Sequence, residues 1–320
     1  MTRFLKRFIR IAMIVVAAMI GAPAAHADCT ADTPSSAAFG AVTSLNVAGR
    51  QQSTSSPKAG LSCVSTSIGF GSTDVINGTV TTTNNGRLKG PTGDTIGYAL
   101  FSDKNFSRSL NIGQRYNWAD SSFFSFPGLD GGAASLPLYL QTVTGSNVAA
   151  GTYVDTIVIA WQWELCRGVI ILGNCVGGVD TGATQVTIPV TLTVTNDCTI
   201  VAPDVSFGTA STVSGFSAVS GALSLTCTKG MVYTVGLSPG NQAAANGRRQ
   251  MANGSSLLQY DLYAAGTGLI WGQATNRVAG NGAADGVSAK QFPYVARIYT
   301  DQPTPPPGTY TDSVIIDVRY

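Results

Sequence analysis

One folding unit is written twice in this chain, and the two copies end differently. Gly151-Thr152-Tyr153-Val154-Asp155 opens an apolar-alternating run, and Gly308-Thr309-Tyr310-Thr311-Asp312 opens its counterpart. At one constant offset, Ile157, Ile159, Trp161 and Trp163 match Val314, Ile316, Val318 and Tyr320. The first copy then continues into Val186-Thr187-Ile188-Pro189-Val190-Thr191-Leu192-Thr193-Val194, an unbroken alternation of apolar and polar residues, whereas the second stops at Tyr320. Side chains alternate faces along a strand, so Val186, Ile188, Val190, Leu192 and Val194 suit one buried face. A β-sandwich without that strand leaves an unpaired edge and open core. The expectation is a function in assembly, with an outside strand lying against Val314, Ile316, Val318 and Tyr320.

The repeat continues upstream. Ala38-Phe39-Gly40 matches Ser206-Phe207-Gly208, Tyr98 to Phe101 parallels Tyr260 to Tyr263, and Leu136 to Leu140 parallels Phe292 to Ala296. The boundary falls at Thr195-Asn196-Asp197, giving units 28–195 and 196–320 after a targeting segment at 1–27. That segment has a positive start (Arg3, Lys6, Arg7, Arg10), an apolar stretch from Ile11 to Ile20 and a small-x-small site at Ala25-His26-Ala27. Cleavage there removes His26, the only histidine, and with it any Ser-His-Asp triad or His-ligated zinc site. It turns the small positive balance slightly negative, and no basic patch points to nucleic acid. No cofactor is expected, no enzyme constellation survives inspection, and calcium at Asn/Asp-rich turns is only a weak alternative.

Short runs of Val, Ile, Thr, Tyr and Phe broken by Gly, Asn, Ser and Pro predict strands almost throughout. No segment after the targeting sequence has a helical period. Six cysteines in an exported chain read as disulfides. The repeat pairs them: Cys29 and Cys198 each start a module, Cys63 and Cys227 follow in related contexts, and Cys166 with Cys175 is peculiar to the first copy. The expected bridges are Cys29–Cys63, Cys198–Cys227 and Cys166–Cys175. Many short strands with cysteine-bridged starts predict two immunoglobulin-like β-sandwich domains, all-β, the second lacking its last strand.

The ordered set Cys198…Phe207-Gly208, Leu225-Thr226-Cys227-Thr228-Lys229-Gly230 with Tyr233-Thr234-Val235, and Pro307-Gly308-Thr309-Tyr310-Thr311-Asp312 resembles the spore coat protein U domain family, which includes subunits of archaic, Csu-type chaperone–usher pili. The resemblance covers the second module end to end and the first more loosely. It implies an incomplete immunoglobulin fold, a periplasmic chaperone, an outer-membrane usher and completion by a strand from an adjacent pilin subunit. Cys29 follows the cleavage site almost at once, leaving no donor segment to give. Together with the duplication, this points to a pilus tip adhesin on the cell surface, attaching to an abiotic or host surface.

Two segments are candidates for attachment. Between Cys166 and Cys175 lie four consecutive aliphatic residues, Val169, Ile170, Ile171 and Leu172. A disulfide-pinched hairpin of this kind either projects as a hydrophobic finger or folds back over its own core. Phe123, Phe124, Phe126 and Leu129 beside Pro127-Gly128 form either a companion finger or an edge strand. Trp161 and Trp163 fall on the inward set of the strand entering the hairpin, and a core role is expected for both. Asp155 and Asp312 are expected to hold the repeated turn. A protective coat layer and a sugar-binding lectin are the competing functions.

Overall fold

The computed structural model describes residues 28–64, 74–119, 133–167 and 169–320, so the targeting segment and the Phe123–Leu129 candidate lie outside the described residues. Strands dominate. The first half folds around one apolar core running from Cys29 to Val194, and the second around another that includes Leu223, Leu237, Trp271 and Phe292.

The first half is built on a long antiparallel hairpin, Gly151–Cys166 against Val179–Thr195, in unbroken register from Gly151↔Val194 to Cys166↔Val179. The far side of Gly151–Cys166 carries Val75–Thr82. The far side of Val179–Thr195 carries Ala37–Thr43, in parallel. Val186, Ile188, Val190, Leu192 and Val194 are all buried, as an alternation without a slip requires. Removing five such side chains from water is worth a gross ~8–15 kcal/mol. Pro189 is exposed, and the parallel pairing starts only at Val190. The strand is thus an edge up to its proline, which can donate no ladder bond, and an interior strand beyond it.

The second half repeats these pairings as far as it can. Tyr98↔Thr142 and Leu100↔Leu140 in the first half correspond to Tyr260↔Ile298 and Leu262↔Ala296 in the second. Its five-stranded sheet runs Cys198–Val201, Val219–Cys227, Lys290–Ile298, Ser256–Ala264, Arg249–Asn253. A three-stranded sheet, Val278–Ala279, Thr234–Leu237 and Ile316–Arg319, faces it.

All three expected disulfides are present. Cys29 lies directly opposite Cys63, and Cys198 opposite Cys227, each pair joining the first strand of its half to a neighbour. Among the described residues one short α-helix, Ser44–Gly49, interrupts the strands. The Thr43 side chain caps it by accepting from the Asn46 N–H, and only Ser44 and Val47 are buried. A helix this short shows no period, so only its cap could have announced it.

Candidate functional site

Two places in the molecule stand out among the described residues: the hairpin between Cys166 and Cys175, and a groove in the second half. The hairpin pairs Val169–Ile171 with Asn174–Val176 in the register Val169↔Val176, Ile170↔Cys175 and Ile171↔Asn174. Leu172 and Gly173 are left as a two-residue turn. Both have positive φ, 50° and 80°, the pattern of a type I′ turn. Glycine and asparagine suit such positions, whereas a leucine there is strained by the clash of its Cβ with the backbone. Leu172 nonetheless occupies the site and is 96% exposed. Ile171, Val176 and Val179 are also exposed. Val176 and Val179 escaped the sequence reading because glycines separate them from the aliphatic run. Their signal was the valine on either side of Gly177-Gly178.

The base of the hairpin is tied down. Arg167 N–H donates to the Gly178 carbonyl (2.9 Å), and Cys166 N–H to the buried Asp74 carboxylate (2.8 Å). Asp180 is nearly buried and takes the Trp163 indole N–H at 2.9 Å and the Arg167 guanidinium. Burial pushes its carboxyl up, but those two donors together outweigh burial and hold it below the usual carboxylate range. Trp161 is core, with its indole donating to the Ala59 carbonyl (3.1 Å). Trp163 is half-buried over its cross-strand partner Gly182. A Cβ at Gly182 would fall 2.1 Å from the ring, so this position excludes any side chain.

The groove lies where the second half departs from the first. Residues 308–315 correspond to the start of the Gly151–Cys166 strand, yet only Ile316–Arg319 enters a sheet. Residues 203–210 correspond to the Ala37–Thr43 strand and join no ladder. In the first half both segments pair with Val179–Thr195. In the second half no strand among the described residues takes that place, and a cavity of about 440 Å³ remains. Its lining includes Val205, Phe207, Leu223, Leu262, Val314 and Ile316. Val314, Ile316 and Val318 are half-buried, where their counterparts Ile157, Ile159 and Trp161 are buried. Tyr320 lies beyond the last paired residue, Arg319, and is 73% exposed. Of the four residues expected along the groove, Val314 and Ile316 line this cavity, and Val318 and Tyr320 lie outside its lining.

The repeated aspartate anchors both copies. Asp155 is not in a turn, as expected, but inside the Gly151–Cys166 strand and buried. It accepts from the Tyr98 hydroxyl (2.8 Å) and the Asn84 N–H (3.0 Å). Asp312 accepts from the Tyr260 hydroxyl (2.8 Å) and the Asn241 N–H (2.8 Å). Burial, then the hydrogen bond to the carboxylate, pushes each phenol well above its ordinary value, so both tyrosines stay donors. The anchor forms in the second half even though the strand around it does not. Among the described residues no group of three or more His, Cys, Asp or Glu could hold a metal ion.

The Spore Coat Protein U domain model matches residues 15–160 and again 184–317. The chain belongs to this family. A solved structure with a similar fold is the chaperone–tip adhesion subunit pre-assembly complex, CsuC–CsuE, of archaic chaperone–usher Csu pili from Acinetobacter baumannii. It shares 21% identity over 92% of this chain and all of that one, with a TM-score of 0.63. A tip adhesin of Pseudomonas aeruginosa aligns over 91% of this chain and 92% of its own, at 11% identity and a TM-score of 0.32, too distant to bear on the fold. No match is found among curated proteins.

Proposed function

We propose that this family member is a pilus tip adhesin of two domains, 28–195 and 196–320, with no enzymatic activity. The first domain completes its own sandwich and presents the Cys166–Cys175 hairpin to an apolar abiotic or host surface. The second domain receives a strand from the adjacent pilin subunit in the groove beside Val314 and Ile316. Export to the cell surface would pass through the periplasm, with a chaperone covering the groove until an outer-membrane usher exchanges it for that strand. Nucleic acid plays no part.

Leu172 carries the attachment reading. Backbone strain held at an exposed position is retained where it serves a function, and this residue combines strain with full exposure of a leucine side chain. Ile171, Val176 and Val179 are already about half-buried and Leu172 is fully exposed, so moving the four out of water is worth a gross ~4–7 kcal/mol. A hairpin already closed by its disulfide loses little further freedom on contact.

The variant Leu172→Asn separates attachment from folding. Asparagine before Gly173 is the preferred pair for a type I′ turn. Stability should rise by about 1 kcal/mol, read as a melting temperature a few degrees higher. Pili should form in normal number, and binding to polystyrene should fall several-fold with little dependence on salt. Undiminished adhesion would refute the finger. Lost stability would show instead that the leucine packs on its own domain.

A further inference from the structure

The groove half contains a buried ion pair, and the filled half shows none among its described residues. Arg249 and Asp261 are 2% and 0% exposed, and Arg249 is the one buried lysine or arginine among the described residues. Its Nη1 donates to Asp261 Oδ1 at 2.9 Å. The rest of the guanidinium reaches across the sandwich: Nε donates to the Ser238 carbonyl (2.8 Å), and Nη2 to the carbonyls of Leu237 (3.0 Å) and Trp271 (2.7 Å). Asp261 Oδ2 accepts from the Tyr299 hydroxyl at 2.9 Å, so the carboxylate is partnered on both oxygens.

The placement matters more than the charge. Arg249 and Asp261 sit on two neighbouring strands of the five-stranded sheet. Leu237 closes the strand Thr234–Leu237 of the opposite sheet and pairs with Ile316. Ser238 exchanges bonds with Ile315, its N–H donating to the Ile315 carbonyl (2.9 Å) and its Oγ accepting from the Ile315 N–H (2.8 Å). One guanidinium therefore grips the backbone that carries the groove wall at Ile316 and ties it to the sheet that supplies Tyr260 and Leu262 to the same cavity.

A buried ion pair is a poor source of net stability. Desolvation offsets most of the attraction, and well-packed apolar residues in its place are often neutral or better. Its usefulness lies in direction: hydrogen bonds fix distance and angle, whereas apolar contact rewards any closer approach. In the first half, the buried apolar side chains of Val179–Thr195 fill the core at the corresponding place. An unfilled second half lacks that filling and would gain by closing its sheets together.

We propose that the Arg249–Asp261 pair is a positioning clamp that holds the two sheets of the second half at the separation an incoming strand needs, keeping the groove open before it is filled. This rests on the reading of the groove as a strand acceptor. The clamp acts on uptake, and once a strand is in place the apolar contacts of that strand take over its role.

The test replaces both partners, Arg249→Met with Asp261→Leu, so that no charge is left orphaned. The single variant Arg249→Met serves as the control that leaves a carboxylate unpaired. The probe is a fluorescent synthetic peptide with the sequence of Gln185–Thr195, the strand that fills the corresponding place in the first half. The full chain from Asp28 is refolded by dilution with increasing peptide, and the association rate is read from anisotropy. A second pair of proteins carries the same segment on a flexible linker after Tyr320. The double variant should take up free peptide at least tenfold more slowly than the wild type, while the two tethered proteins melt within a few degrees of each other. Equal uptake rates would overturn the clamp, as would a tethered double variant that melts far below its parent. If the wild type neither takes up the peptide nor gains stability from the tether, the acceptor reading itself fails, and the clamp with it.

Discussion

The two halves start from one plan and differ by a strand, which isolates what that strand does. In the first half, Val179–Thr195 lies between Gly151–Cys166 and Ala37–Thr43, and all three are continuous. In the second half, the counterparts of its two neighbours lose regular structure over 308–315 and 203–210, although their local signals are intact. Gly40 and Gly208 both take positive φ, at 82° and 75°. The tyrosine–aspartate bond is 2.8 Å in each half. Turn residues and anchors are therefore set locally. A strand, by contrast, exists only where it has a partner, because its backbone donors and acceptors are satisfied across the ladder.

The largest test converts the first half into the second. Ending residues 28–195 before Gln185 removes a gross ~8–15 kcal/mol of apolar burial, as much as a whole domain's usual stability. The intact segment should be soluble and melt cooperatively, and the truncated one should aggregate. A truncated protein that still melts cooperatively would show that the strand is dispensable. The reverse conversion adds the Gln185–Thr195 sequence after Tyr320 through a flexible linker. The second half should then melt at least about 10 °C higher, since several kcal/mol at 2–4 °C or more each accumulate. Its 203–210 and 308–315 amides should gain hydrogen-exchange protection. No gain in protection would mean that the groove does not accept a strand in that register.

The smallest effect concerns the seam between the halves. Asp94 accepts from the Ala149 N–H at 3.0 Å and from Lys229 Nζ at 2.6 Å, while Ser44 Oγ and Thr228 Oγ1 share a hydrogen bond of 2.7 Å. Burial pushes the Asp94 carboxyl up, but Lys229, the Ala149 amide and the Thr92 hydroxyl together hold it below the usual carboxylate range. A depressed carboxylate contributes its stability above the unfolded value and loses it as pH falls through the folded one. Acidification below about pH 4 should therefore uncouple the melting of the two halves. Asp94→Asn should already be uncoupled at pH 7 and change little on acidification. A seam that stays coupled in the variant would place the joint elsewhere.

Much of this fold was legible because repetition substitutes for missing information. The matches that align Tyr98 with Tyr260 and Leu140 with Ala296 also carry the strand register, and the cysteine contexts carried the disulfides. The closing strand was legible because five alternating apolar residues admit one buried face. Other features were hidden for physical reasons. Ser44–Gly49 is too short for a period. Asp155 looked like a turn residue because its partner Asn84 is distant in sequence and meets it only across the sheet. The Arg249–Asp261 pair depends on cross-strand placement, which no spacing in the sequence encodes. Leu172 was read as apolar, but its strain appeared only with its backbone angles.

The likeness of the two halves also creates a hazard. A strand suited to one groove is, to a first approximation, suited to the other, so Val179–Thr195 of one molecule matches the open groove of the next. Such a contact joins two different surfaces and does not close on itself, and repeated it would give a filament made only of this protein. What prevents it is the strand's own position. Its last residues, from Val190 to Thr195, are held on both sides, by Gly151–Cys166 and by Ala37–Thr43. The parallel pairing with Ala37–Thr43, modest in itself, thus works against self-polymerisation and leaves the groove of the second half open.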